Sequence, residues 1–208
     1  MPAAPEPTIG RLALYLRSLR AALREGVETM SSADIEKRTG ISSGQVRKDL
    51  SYFGEFGKPG MGYSVAPLVA RLSHIMRLDR EQGVLIVGAG NLGSALAGYG
   101  FAQSSFRVAA IYDNNFNKIG RKVWDLEILD IQRMPEINRD MGVRLGIIAT
   151  PAAAAQEAAA IMARSGVQAI LNFAPVRFPA PEGTVVRNVD LTQELEILCY
   201  YLPAETAD

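Results

Sequence analysis

The sequence predicts an α/β fold in which a small helical domain precedes a doubly wound parallel sheet. Three observations predict it. Residues 8–53 contain helical segments in close succession, separated by short turns. From residue 84 onward, short apolar runs alternate with helical segments, as in parallel strands joined by helices. The last helical segment, residues 190–202, is strongly apolar. We therefore predict domains at 1–82 and 83–189 and a separate C-terminal helix within 190–208.

The first element is an amphipathic helix over residues 8–24. Its apolar residues follow the helical period and form one stripe. The stripe consists of Ile9, Leu12, Ala13, Leu16, Leu19 and Leu23. We expect Thr8 to cap the start of the helix and Gly26 to end it.

The next two elements predict a helix-turn-helix. Residues 31–40 begin with serines and end with Gly40, as a short capped helix does. Residues 42–53 begin another helix from a serine cap, and the short "TGI" turn between them forces a sharp angle. The glycine-rich segment "GEFGKPGMGY", residues 54–63, then predicts a tight β-hairpin. Three helices followed by a hairpin indicate a winged helix.

The helix at 42–53 has two distinct faces. Val46, Leu50 and Phe53 lie at i, i+4 and i+7 and are expected to face the core. The opposite stripe consists of Gly44, Arg47, Lys48 and Ser51. Two adjacent cations between small residues suit a recognition helix in a DNA major groove, where arginine can donate two hydrogen bonds to guanine. A merely solvated polar face is the alternative.

A helix over 65–80 is expected to join the two domains, and the strands follow from residue 84. The strand segments are "VLIVG" (84–88), "RVAAIYD" (107–113), "RLGIIAT" (144–150), "VQAILNF" (167–173) and "TVVRNVD" (184–190). Helices are predicted at 92–102 and 152–165. Residues 120–140 are ambiguous, because Asp130 suits a helix cap but Pro135 is expected to interrupt that helix.

A G-x-G-x-x-G motif, Gly88, Gly90 and Gly93, joins the first of these strands to a helix. Such a turn places backbone N–H groups around a pyrophosphate at the helix N-terminus. Asp113 ends the next strand, where an acid accepts hydrogen bonds from ribose hydroxyls. The next basic residue is Lys118, so a 2′-phosphate would meet a carboxylate first, and we predict NAD(H) rather than NADP(H). A Rossmann-like sheet with a repurposed site is the alternative.

Composition sets further limits. Residues 1–80 contain 12 Lys and Arg against 8 Asp and Glu, so the first part is mildly basic and permits nucleic-acid binding. No apolar run approaches a membrane span, and the N-terminus does not resemble a secretion signal. Cys199 is the only cysteine, which excludes an intrachain disulfide and fits a reducing cytoplasm. No cluster has metal-ligand spacing, so we predict no metal site. The lack of a long apolar run likewise predicts no membrane partner.

The segments "SSGQVRKDLSYFGEFGKPGMGY", "VGAGNLG", "ILNFAPV" and "NVDLTQEL" closely resemble the Rex redox-sensing transcriptional repressors, and the resemblance extends from about Ile9 to Leu202. It implies a homodimer with a winged-helix domain and a Rossmann domain in each chain. It also implies repression from palindromic operator DNA, release by NADH, and NAD⁺ as a competing ligand that releases less effectively.

The resemblance also implies roles for residues. Arg47 and Lys48 would contact the major groove. Tyr99 and Asp190 match a pair proposed to switch between states, with Arg17 as the alternative partner of the aspartate. Residues 172–176 match the segment near the nicotinamide, and the helix from Asp190 onward matches one swapped between subunits.

Two departures stand out. The wing tip has Lys58-Pro59 where some members carry arginine, which puts bidentate readout there in doubt. Asn91 occupies the fourth position of the glycine motif, so it supplies no arginine contact to the diphosphate.

The predicted sites fall into three sets. The dinucleotide set is Gly88, Ala89, Gly90, Asn91, Leu92, Gly93, Asp113, Lys118, Thr150, Pro151, Asn172, Phe173, Ala174 and Pro175. The DNA-contacting set is Ser43, Gln45, Arg47, Lys48, Ser51, Tyr52 and Lys58. The switch set is Arg17, Tyr99 and Asp190.

Phe173, Ala174 and Pro175 are expected to line an apolar pocket that disfavours the cationic, oxidised ring. Ordinary strand-end packing is the alternative for these three residues.

The main functional alternative is an NAD-dependent dehydrogenase with a helical N-terminal domain. Hydride transfer from an alcohol usually needs a general acid or base. The only histidine, His74, falls in the connecting helix before the nucleotide turn and is expected to be a surface or packing residue. We therefore predict no catalytic residues, although a lysine or tyrosine base stays open.

Overall fold

The computed structural model describes residues 4–58, 61–99 and 105–203, and the side chains of residues 57 and 58 lie outside the described part. The chain divides into two compact units, residues 1–80 and residues 81–208. We call them the N-terminal unit and the C-terminal unit.

The N-terminal unit has the helices and hairpin of a winged helix. Its helices are α1 (Glu6–Arg24), α2 (Ser32–Thr39), α3 (Ser43–Ser51) and α4 (Val65–Ile75). Its strands are β1 (Thr29–Met30), β2 (Gly57–Lys58) and β3 (Gly62–Ser64). They form an antiparallel sheet in the order β1-β3-β2. The hairpin was predicted, but β1, only two residues long, was not. Pro59 lies outside the described residues.

Serine caps determine where α2 and α3 begin. Ser31 accepts a hydrogen bond from the backbone of Asp34, whose side chain accepts one from the Ser31 backbone, which completes a capping box. Ser42 caps α3 through the backbone of Gln45. Gly40 has a φ of 73° and ends α2 in the left-handed conformation. These caps set the short helix-turn-helix connection that the sequence predicts.

The predicted apolar stripe of α1 is wrong in part. Ile9 and Leu23 are 39% and 42% exposed, and Ala13 is exposed as well. The buried face instead carries Thr8, Leu12, Tyr15, Leu16, Leu19 and Ala22. Thr8 is no cap either, since Pro5 holds the N-cap position. The face is rotated because Thr8 and Tyr15 bond to a buried carboxylate on α3, described below.

The C-terminal unit contains a sheet of seven strands, which are named here in chain order. They are β4 (Gln82–Val87), β5 (Phe106–Asp113), β6 (Lys122–Val123), β7 (Leu126–Asp130), β8 (Leu145–Ile148), β9 (Ala169–Asn172) and β10 (Val185–Asn188). Their spatial order is β10-β9-β8-β4-β5-β7-β6. All neighbouring pairs are parallel except β6 with β7. Without β6, this is the Rossmann strand order.

Helices α5 (Asn91–Gly98), α6 (Met134–Met141), α7 (Ala152–Arg164) and α8 (Leu191–Cys199) complete this unit. Separate apolar clusters form from alternate residues of the strands: Val87 and Tyr112 pack with α7 residues, whereas Ile86 and Ile111 belong to the other cluster. The central strands are therefore buried on both faces, which explains their continuous apolar runs.

Residues 120–140, ambiguous from sequence, form the β6–β7 hairpin, a short 3-10 turn (Ile131–Arg133) and α6. Asp130 caps the 3-10 turn through the backbone of Gln132. Pro135 does not interrupt α6. It lies in the first turn, where the missing N–H has no intrahelical partner to lose.

Candidate functional site

The glycine turn between β4 and α5 has no room for side chains at two positions. Gly88 has a φ of 103°, and a Cβ there would lie 2.5 Å from the Ala149 carbonyl oxygen. A Cβ on Gly93 would collide with the Gly88 carbonyl oxygen. Gly90 faces open space, with nothing within 4 Å of a built Cβ. The turn therefore packs tightly against β8 and α5 while leaving the start of α5 accessible to a ligand.

A cavity of about 280 Å³ opens beside this turn. It lies where β4, β5 and β8 end, next to the point at which the strand order reverses, the usual ligand position in doubly wound sheets. Predicted dinucleotide residues that line it are Gly88, Gly90, Asp113, Lys118, Thr150 and Pro151. Its apolar wall includes Ile131, Ala154, Ala158 and Ile161. The other predicted dinucleotide residues are not among its lining.

Asp113 is 7% exposed and is held by three donors from the protein. The backbone nitrogens of Ala89 and Asn115 donate at 2.8 and 2.9 Å, and the Lys118 Nζ donates at 3.1 Å. Burial alone would raise the pKa of Asp113, but these hydrogen bonds and the lysine charge outweigh it and hold that pKa below its ordinary value. The carboxylate thus stays charged and fixes the glycine turn through Ala89.

The cavity wall contains a polar atom without a protein partner. Thr150 Oγ1 is buried and has no hydrogen-bond partner among the described residues. Buried hydroxyls are normally paired, so an unpaired one in a cavity wall is a position for a polar ligand group.

The segment after β9 is arranged differently from the expected apolar pocket. Asn172 is fully buried, and its Nδ2 donates to the Val176 carbonyl oxygen at 2.9 Å and to Asn188 Oδ1 at 2.8 Å. Phe173 packs with one apolar cluster, Ala174 with the other, and Pro175 is exposed. The three residues therefore do not share one wall within the chain, and Asn172 shapes the turn itself.

On α3, the four residues predicted to point outward are exposed: Gly44, Arg47, Lys48 and Ser51. Val46 and Leu50 are buried, as predicted, and Phe53 is partly buried against them. Arg47 Nη1 donates to Ser32 Oγ at 2.8 Å, which directs the guanidinium toward the start of α2. Tyr52 is 40% exposed.

Other predicted DNA contacts are more constrained. Ser43 is partly buried, and its backbone N–H donates to Glu36 Oε2 at 2.9 Å. Gln45 Nε2 donates to Asp49 Oδ1 at 2.8 Å. Lys58 pairs with Gly62 in the hairpin.

The residues predicted to act as a switch are all near the surface. Arg17 is exposed on α1, and Tyr99, just after α5, is 71% exposed. Asp190 caps α8, accepting hydrogen bonds from the backbones of Thr192 and Gln193 at 3.0 and 3.1 Å. Arg17 belongs to the N-terminal unit, and Tyr99 and Asp190 belong to the C-terminal unit.

Helix α8 buries none of its residues. The large apolar side chains of this segment are between 45% and 85% exposed: Leu191, Leu195, Ile197, Leu198, Tyr200, Tyr201 and Leu202. Monomeric proteins seldom expose so continuous an apolar surface.

Known proteins are similar in sequence to this chain along nearly its whole length. Residues 3–51 match the family described as "Putative DNA-binding protein N-terminus", and residues 79–176 match "CoA binding domain". A redox-sensing transcriptional repressor Rex from Carboxydothermus hydrogenoformans is 47% identical over 94% of this chain and 95% of its own. A Rex repressor from Pelotomaculum thermopropionicum is 49% identical over 95% of this chain and 93% of its own.

The chain belongs to the Rex family.

Solved structures agree with this Rex membership. A Rex-family repressor, RSP, in complex with β-NAD⁺ and operator DNA superposes with a TM-score of 0.89 at 34% identity, covering 97% of this chain and 93% of that one. RSP in complex with β-NADH superposes with a TM-score of 0.83 at 32% identity, covering 97% and 95%. The predicted fold of a winged helix followed by a Rossmann-type sheet is confirmed.

This Rex chain contains one cluster that the sequence patterns do not predict. Asp49, on α3, has a fully buried side chain that accepts hydrogen bonds from four side chains. We call Thr8, Arg11, Tyr15, Gln45 and Asp49 the Asp49 cluster. The sequence does contain one indication of this cluster, since Asp49 lies between Val46 and Phe53 on the stripe that faces the core.

No helix in the part of the chain that the structure describes combines the length and apolar content needed to cross a bilayer.

Proposed function

We propose that this chain is a redox-sensing transcriptional repressor that binds palindromic operator DNA and is released by NADH. The observation that carries the proposal is the superposition, over 97% of the chain, on a repressor bound to both operator DNA and NAD⁺. One protein therefore combines an effector cavity with a DNA-reading helix, and it responds to the ratio of NADH to NAD⁺.

The cavity residues fit a dinucleotide. Helix α5 begins at Asn91, directly after Gly90, and the N–H groups of its first turn have no intrahelical partner, which suits a diphosphate. Asp113 has one unused acceptor position for a ribose hydroxyl, because three of about four are taken by Ala89, Asn115 and Lys118. Thr150 Oγ1 supplies a further polar contact.

The two redox forms of the effector differ in the charge of the nicotinamide ring, which is cationic only when oxidised. In this proposal the segment 172–176 lies nearest the ring, and Phe173 and Pro175, which are not fully buried, give the ring apolar surroundings. Ala174 is buried in the other apolar cluster and supports the segment from behind. Apolar surroundings penalise an unpaired cation, so they favour NADH over NAD⁺. Asn172 acts indirectly, by holding the turn that presents this segment.

We assign DNA contact to the exposed face of α3. Arg47 and Lys48 read base edges or phosphates in the major groove. Ser51 and Tyr52 flank them, Ser43 and Gln45 lie at the start of the helix, and Lys58 lies in the wing. A lysine at the wing supplies a point charge and no bidentate fork, so its contact is to phosphate.

The exposed apolar face of α8 supports a homodimer. We propose that its partner is a second copy of this chain, which exchanges the helix, because the described residues of its own chain leave the apolar side chains between Leu191 and Leu202 largely exposed. Two copies place two α3 helices about one DNA turn apart or a multiple of it, which suits a palindromic operator.

The switch is an exchange of partners by Asp190. In the NADH form Asp190 pairs with Tyr99 of the other subunit, and in the DNA-binding form it pairs with Arg17. A tenfold change in DNA affinity requires about 1.4 kcal/mol of coupling. One exchanged hydrogen bond to a charged group supplies energy of that order.

The proposed function is regulatory and cytoplasmic, and the nicotinamide ring is sensed, with no substrate turned over. The relatives are named transcriptional repressors, although the Rossmann fold is shared with dehydrogenases.

Two assays distinguish the repressor from a dehydrogenase. The first is fluorescence anisotropy of a labelled palindromic duplex, selected by the chain from a random pool and titrated with NADH at fixed salt. The second is NADH oxidation with a panel of carbonyl substrates. The repressor predicts NADH-dependent release and no turnover, whereas turnover without release would overturn it.

A further inference from the structure

The Asp49 cluster concentrates hydrogen bonds on one buried carboxylate. Arg11 donates to it through Nε at 2.6 Å and through Nη2 at 2.8 Å. Tyr15 Oη donates at 2.8 Å, Gln45 Nε2 at 2.8 Å and Thr8 Oγ1 at 3.2 Å. Both carboxylate oxygens are therefore fully engaged, and the Asp49 side chain has no exposed surface.

The donors to Asp49 come from two helices, α1 and α3. Thr8, Arg11 and Tyr15 lie on one face of α1, at spacings of three and four residues. Gln45 is one helical turn before Asp49 on α3 itself. The carboxylate thus joins the recognition helix to α1 by directional bonds, whereas the apolar contacts of Val46 and Leu50 allow sliding and rotation more readily.

We propose that Asp49 is a positioning residue for DNA recognition: it fixes the rotation and depth of α3 against α1, so that Arg47 and Lys48 project at the angle that base readout requires. This inference rests on the proposed function. The bidentate Arg11 contact sets the angle, because a guanidinium fork matches a carboxylate in one plane. Arg47 and Lys48 precede Asp49 directly, so a small rotation of the helix displaces both side chains.

The proposal also gives Gln45 a role other than base contact. One N–H of its Nε2 is committed to Asp49, which leaves the second N–H and the carbonyl oxygen for DNA. Gln45 therefore contributes to the position of α3 as well as to any contact it makes.

A positioning role and a purely structural role of Asp49 predict different effects on DNA sequence specificity. Non-specific binding depends on total positive charge, whereas base readout needs each donor placed accurately in the groove. Replacing Asp49 with asparagine removes a negative charge, so a purely electrostatic effect would strengthen binding to every duplex. A loss confined to the selected duplex identifies misplacement of α3.

The experiment uses the full chain and two duplexes of equal length: one selected by the wild-type chain from a random pool, and a scrambled version. Affinities for both are measured by fluorescence anisotropy at one salt concentration. The variants are Asp49→Asn and Tyr15→Phe, which removes one donor and no charge. The matched control is Tyr112→Phe, because Tyr112 is buried in the C-terminal unit and its hydroxyl has no partner among the described residues.

We expect Asp49→Asn to lower affinity for the selected duplex by about tenfold or more, the consequence of losing one charged hydrogen bond. Tyr15→Phe lowers it by a few-fold, and Tyr112→Phe leaves it unchanged. Affinity for the scrambled duplex changes less than about twofold in all three, or rises slightly for Asp49→Asn.

An unchanged ratio of selected to scrambled affinity in both cluster variants, at a temperature where circular dichroism shows them folded, would overturn the proposal and leave Asp49 a structural residue. If Asp49→Asn does not fold, Tyr15→Phe decides alone. A wild-type chain that selects no duplex overturns the proposed function, and this inference with it.

Discussion

Truncating one leucine of α8 is expected to weaken dimerisation by a calculable amount. Leu195 is 63% exposed in the single chain. Complete burial of a leucine stabilises by about 1.5–3 kcal/mol, so covering the exposed part contributes roughly 1–2 kcal/mol. A symmetric dimer contains the residue twice, which gives roughly 2–4 kcal/mol. Leu195→Ala should therefore raise the dimer dissociation constant by about 30- to 700-fold.

The assay is fluorescence-detected sedimentation velocity over a dilution series, with operator binding measured on the same samples. Leu23→Ala is the matched control, since Leu23 is 42% exposed but lies at the end of α1. The variant should lose operator affinity only at concentrations where it dissociates. A dissociation constant that equals the wild-type value would show that α8 is covered by something other than a second copy.

Three further predictions concern the effector cavity and the Asp49 cluster. Gly93→Ala should abolish NADH binding measured by calorimetry, because its Cβ would collide with the Gly88 carbonyl oxygen; undiminished binding would contradict the geometry of the turn. Lys118→Met should weaken NADPH more than NADH, because it leaves the charge of Asp113 unbalanced beside the 2′ position; an equal effect on both ligands would show that Lys118 does not face that position. Asp49 should contribute about 2 kcal/mol to the fall in the free energy of unfolding as the pH drops from 4 to 2, because its hydrogen bonds outweigh its burial and lower its pKa from 3.8 to about 2. Below the ordinary pKa the unfolded chain gains a proton first, so Asp49→Asn should remove this part of the acid dependence; an identical acid profile in that variant would refute the assignment.

Periodicity and turn chemistry were sufficient to predict most of the fold. The continuous apolar runs identified the central strands, since both faces of β4 and β5 are covered. Serine caps identified the starts of α2 and α3, and Gly40 identified the end of α2. The strands β1 and β6 are two residues each, too short to carry a period. Pro135 was misread because a proline interrupts a helix only beyond its first turn.

The parts of the candidate sites that depend on backbone conformation could be predicted from the sequence. The glycine motif fixes its own geometry, so Gly88 and Gly93 could be interpreted from spacing alone. Apart from the Gln45 contact within α3, the Asp49 cluster depends on contacts between residues 34 to 41 positions apart, which no local pattern records. Its only local trace is a carboxylate on the buried stripe of α3. Phe173 and Ala174 follow the end of β9 and continue its alternation, so they pack in opposite apolar clusters, which the expectation of a single apolar wall did not take into account.

The most direct test of the account is the affinity for NADH measured with and without saturating selected duplex. Coupling between two sites is reciprocal, so DNA must weaken NADH binding by the same factor by which NADH weakens DNA binding. We predict a decrease of about tenfold or more in NADH affinity when the duplex is bound, which corresponds to about 1.4 kcal/mol of coupling. An NADH dissociation constant that is the same in both conditions would contradict the claim that this chain senses redox state through DNA release.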